Sequence, residues 1–176
     1  MFPSLLLLLL FQGARQPSPA KPVQYLAPAA FSRVPEAIRA DLERRGCGIP
    51  QALERGPHNV ISGSFARPGQ TDWAILCSTH GQSRVLVYWG GRARCKSDLP
   101  VTRDEDSMQQ MGENEMAFSH KIVSASPGDI QRHARDYQAS VPFRIEHDGI
   151  DDGFDGKASV VRYCRLGEWH TLQGAD

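Results

Sequence analysis

The sequence predicts an α+β fold, an antiparallel β-meander or sheet with two flanking helices in a single compact domain. Three observations predict it. Residues 60–89 read as apolar strands joined by short glycine-containing connectors, the pattern of a meander. Two segments, opening at Pro35 and at Ser126, carry helix start signals followed by an apolar stripe. Hydrophobic residues make up 40% and charged residues 23% of 176 positions, an ordinary soluble composition with enough chain to bury its own core.

The chain begins with an apolar run, Leu5 to Phe11, which is too short for the roughly 20 residues that span a bilayer. It suits the apolar centre of a signal peptide over residues 1–20, with Ser18-Pro19-Ala20 as the cleavage site. Residues 21–31 then read as a proline-rich linker, and residues 32–176 as the strand-rich domain. This predicts a secreted or periplasmic protein with no integral membrane span in its mature form.

The first helix runs from Pro35 to just before Gly46, with Val34, Ile38 and Leu42 on one stripe. Glu36 near its start and Arg44 and Arg45 near its end complement the helix dipole. Three strands follow at 60–65, 71–78 and 83–89; the second is apolar on both faces beyond Asp72. Residues 92–115 turn polar and lose periodicity, which reads as a long loop. Residues 116–124 form a fourth strand. Ser126-Pro127-Gly128-Asp129 opens the second helix as a capping box, with Ile130, Ala134 and Tyr137 on its apolar side. Residues 141–145 are extended and an acidic loop follows. A hairpin, 157–165 and 168–172, turns at Leu166-Gly167.

Four cysteines, Cys47, Cys77, Cys95 and Cys164, are widely spaced without CxxC, which excludes zinc-finger and thioredoxin-type readings. An oxidising compartment favours one or two disulfides among them. Loop contexts favour Cys47 with Cys95, leaving Cys77 and Cys164 as buried thiols or a second bridge. Lys+Arg and Asp+Glu both total 20, so the chain has no basic footprint for nucleic acid.

The segment from Ile61 to Leu76, with Gly63, Phe65, Gly69, Asp72 and Ala74 at the matching places, resembles one FG-GAP/VCBS repeat, an integrin-type propeller blade. Continued through Ser83 to Gly90, the resemblance covers residues 61–90. It implies a β-meander in an extracellular setting. Such repeats often hold calcium in the turn, but Ala66 to Gln70 here carries no carboxylate.

Two constellations bear on function. Residues 146–156 gather Asp148, Asp151, Asp152 and Asp155 among glycines, the residue types that supply oxygen ligands to Ca²⁺, and also those of a solvated turn. His147 beside them is the candidate general base or a further ligand. Trp73, Trp89 and Trp169 are strand aromatics that form a flat ligand platform if they face outward together, and cross-strand core pairs if they do not. No Gly-x-Ser-x-Gly, phosphate-binding loop or dinucleotide motif occurs. The reading that follows is an exported binding or interaction module for a small molecule, glycan or cell-envelope protein. The alternative is a hydrolase of a small ester, amide or lactone assisted by Ca²⁺ in the acidic segment.

Overall fold

The computed structural model describes residues 22–52, 56–93, 95–112 and 115–175; the leucine run expected as a signal peptide lies outside them. Strand β1 (Gln24–Leu26) pairs antiparallel with β2 (Ile49–Gln51), and helix α1 (Glu36–Arg44) lies between them in sequence. The first four-stranded sheet orders β3 (Val60–Gly63), β4 (Asp72–Thr79), β5 (Gln82–Tyr88) and β6 (Thr102–Arg103) as a meander. A separate hairpin joins β7 (Met108–Gly112) to β8 (Glu115–Phe118). The second four-stranded sheet contains β9 (His120–Ala125), β10 (Gly149–Phe154), β11 (Ser159–Arg165) and β12 (Glu168–Gln173) in adjacent order. Helix α2 (Pro127–Asp136) connects β9 towards β10. The architecture is mainly antiparallel sheet with two helices.

Strand alternation explains the layering. Ala74, Leu76, Val85 and Val87 point to one side of the first sheet and meet Ile122 and Ile150 of the second. Ile75, Cys77 and Leu86 point to the other side, where Leu42 of α1 covers them. On the far side of the second sheet, Ala125 and Val161 pack with Ile130 of α2. The result is helix, sheet, sheet, helix. β4 is apolar on both faces because both are covered. Asn59 stitches the sheets together: fully buried, it donates to the carbonyls of Pro50 and His120 and accepts from the amide of Ile122.

Both helices match their signals closely. α2 has the complete capping box between Ser126 and Asp129, with Pro127 in its first turn. α1 begins one residue later than expected, with Pro35 as its N-cap, and Gly46 follows it with a positive φ of 68°. Asp41 of α1 accepts a hydrogen bond from the Tyr88 hydroxyl of β5 at 2.7 Å, which pins the helix to the sheet. The Tyr88 hydroxyl, together with Arg45 and Arg44, lowers the Asp41 carboxyl to about 2.

Four segments differ from the expectation. Gln24–Leu26, inside the stretch read as a linker, is a strand, and its Tyr25 hydroxyl donates to the buried Asp104 carboxylate at 2.6 Å. Burial and that carboxylate push the Tyr25 hydroxyl up to about 12. The polar stretch 92–115 holds β6, a 3-10 turn over Asp104–Ser107, and β7. Asp104 makes this polar chain part of the fold by also accepting from Ser78 and Ser83. The single strand expected at 116–124 is two, divided at the fully buried Ser119, which bonds Ser107. The acidic loop is β10, a central strand whose glycines let its neighbours approach: a side chain at Gly149 or Gly153 would strike Val161 or Ser159 of β11.

The disulfides are Cys47–Cys77 and Cys95–Cys164, not the favoured Cys47–Cys95 pairing. Cys77 projects from β4 to the α1 side, where the chain leaving α1 delivers Cys47 and Gly48 bridges Ser78. Cys95 instead reaches the end of β11. Among the described residues, no helix is long and apolar enough to cross a membrane.

Candidate functional site

The residues singled out in the acidic segment separate when β10 forms. Asp148 accepts a hydrogen bond from the Ser64 amide at 2.8 Å, tying the start of β10 to the loop after β3. Asp151 and Asp152 point to opposite faces of the strand. Asp152 turns inward, where His120 contacts one oxygen at 2.7 Å and Arg162 donates to the other at 3.1 Å. Burial alone would raise the Asp152 carboxyl, but His120 and Arg162 outweigh it and hold it lowered. Asp155 lies 3.8 Å from Lys121. Among the described residues, no three His, Cys, Asp or Glu side chains gather as a metal ion requires.

Asp151 turns outward into the β10–β11 surface, where one carboxylate oxygen is buried without a hydrogen-bond partner. Burial raises its carboxyl, with Ser159 acting in the opposite direction. A carboxyl raised in the folded state destabilises the fold above that raised value, and the penalty vanishes below the unfolded value near about 4. Asp151→Asn is therefore expected to raise the unfolding free energy near neutral pH and to leave it unchanged in acid. Urea melts of both proteins at the two pH values measure this; an equal gain in acid would refute the burial argument.

The tryptophans also divide. Trp89 and Trp169 stack at 5.8 Å between the two sheets, whereas Trp73 packs on the opposite face with the α1 cluster. The indole nitrogen of Trp169 donates to the Lys96 carbonyl at 3.0 Å. Beside it a groove of about 770 Å³ runs along Leu99, Pro100, Arg162 and Glu168.

His147 also lies at a cleft, as do Trp169 at the groove above and Trp73, Asp151, Asp152 and Asp155 at smaller ones. His147 lies in the wall of an open cavity of about 490 Å³ whose other side chains include Arg67, Arg92, Arg144 and Arg165, against one carboxylate, Glu146. Two rings of an aromatic stack, His147 and Tyr163, line this cavity. The His147 ring lies parallel to Tyr163 at 4.2 Å, Tyr163 stacks on Phe143 at 5.6 Å, and the Arg165 guanidinium sits 4.7 Å over Phe143. His147 Nδ1 bonds the Asp148 carbonyl at 2.9 Å, and the Tyr163 hydroxyl accepts from the Glu146 amide at 3.0 Å. These contacts hold the wall rigid, and Cys95–Cys164 anchors it from behind.

Two of the arginines, Arg67 and Arg92, lie on segments held by Asp72. This fully buried carboxylate accepts from the amides of Ala66 and Gly90 and from the Gln70 side chain, which in turn accepts from Arg67 Nε at 3.0 Å. One carboxylate thereby fixes the loop bearing Arg67 and the turn two residues before Arg92. Neither was legible beforehand, because the four arginines sit on four separate segments and the balanced net charge conceals their convergence. Guanidinium groups present forked donors to carboxylates and phosphates, so the chemistry available here is anion binding.

No protein-family model, curated protein or solved structure matches the chain.

Proposed function

We propose that this chain is an exported, disulfide-bonded binding module whose ligand carries an anionic group held in the arginine-lined cleft. The observation that carries the reading is the composition of that cleft: four arginines from separate segments line it, against one glutamate. Among the described residues Glu146 approaches only Arg144, at 3.7 Å and in an exposed position, so it offsets little of their charge. Two disulfides fit an oxidising, extracellular or periplasmic setting. The sequence resemblance to an FG-GAP-type repeat implies the same extracellular setting. Among the described residues the acidic side chains join no group able to hold a metal ion, so the hydrolase alternative draws no support from them.

Titration with inorganic phosphate and with citrate, followed by calorimetry and by NMR of the arginine Nε–H groups, tests the proposal. Binding is expected at low salt and should weaken as salt is added. Arg92→Gln combined with Arg165→Gln removes one guanidinium contributed from each sheet and should lower affinity by about tenfold or more. No binding of either anion, or binding indifferent to the double substitution, would refute the proposal.

A further inference from the structure

Resting on that reading, we infer that the ligand is an acidic peptide segment that continues from the arginine cleft, over the β11–β12 turn, into the groove beside Trp169. Three observations converge on this surface. Gly167 lines both the arginine cleft and the Trp169 groove, so the two cavities flank a single turn. Leu166 at the tip of that turn is 78% exposed, the most exposed large hydrophobic residue among those described. Its backbone is left-handed, with φ of 53°, followed by Gly167 at 95°. Two-residue hairpin turns of this kind favour Asn-Gly, and a leucine there is both strained and unprotected from water.

A partner that covered Leu166 would remove its apolar side chain from water. The Trp169 groove adds an apolar floor of Leu99, Pro100 and indole, with a charge-balanced rim of Lys96 and Arg162 against Asp98 and Glu168. The surface therefore runs from strongly basic, through an aliphatic tip, to a neutral aromatic groove. Acidic side chains suit the first part and an apolar side chain suits the rest. A branched aliphatic tip provides no flat face or hydrogen bond for a sugar ring, which is why a peptide fits this surface better than an acidic glycan. Arginine and tryptophan are the residue types that dominate binding energy at such interfaces.

Panning a displayed random peptide library against the full, disulfide-intact chain tests this. The recovered peptides should carry clustered Asp or Glu next to Leu, Phe or Trp. Leu166→Asn should lower their affinity by about fivefold while raising Tm by a few degrees, so a loss of binding cannot be ascribed to unfolding. Trp169→Phe should also weaken the peptides and leave phosphate binding intact. Peptides without acidic enrichment, or with affinities unchanged by Leu166→Asn and Trp169→Phe, would overturn the inference. So would oligo-uronates binding where no peptide does. If phosphate and citrate bind but no peptide is recovered, the extension falls and the anion site stands; if none binds, both fall.

Discussion

Asp72→Ala is expected to lower the unfolding free energy by about 3–5 kcal/mol, because it strands buried donors that a charged acceptor had satisfied. Those donors are the Ala66 and Gly90 amides and the Gln70 amide group, and Asp72 itself is fully buried. The same substitution releases the loop carrying Arg67 and the turn before Arg92, so anion affinity should fall even in molecules that remain folded. Urea denaturation measures the first effect and calorimetry with phosphate the second. Asp72→Asn keeps one acceptor oxygen and should recover part of the stability. A stable Asp72→Ala protein with unchanged phosphate binding would show that the carboxylate neither holds the turn nor sets the arginines.

Removing the Cys95–Cys164 bridge by Cys95→Ser with Cys164→Ser should cost about 4 kcal/mol, the loop-closure entropy of a long bridged segment. Its cysteines are 69 residues apart, against 30 for Cys47–Cys77, so the longer bridge constrains the unfolded chain more. It also joins the segment after β5 to the end of β11, and so ties the two sheets together behind the arginine cleft. Thermal melts of the double variant and of the parent check the magnitude. A loss confined to a few tenths of a kcal/mol would place the stability of this region in packing alone.

The parts of the fold that were legible in the sequence are those governed by local rules. Ser126, Pro127 and Asp129 announce α2 because capping is decided within one helical turn. β4 and β5 announce themselves through uninterrupted apolar residues, and Leu166-Gly167 marks its own turn. β10 was hidden because its charges are compensated by residues distant in sequence. Asp152 relies on His120 and Arg162, and no spacing within residues 146–156 reveals either partner. β1 was hidden for a similar reason, since its partner β2 lies beyond α1. The candidate site was legible only at His147. The arginines that make it a site meet through the stacking of two sheets, and a one-dimensional search for motifs does not register that meeting.

The origin of those arginines has a mechanical consequence. Arg67 and Arg92 ride on connectors of the first sheet, while Arg165 belongs to β11 and Arg144 to the segment leading into β10. An anion gripped by all four is a rivet driven through the seam. On the proposed reading, occupancy of the cleft would therefore add stiffness to the joint between the sheets.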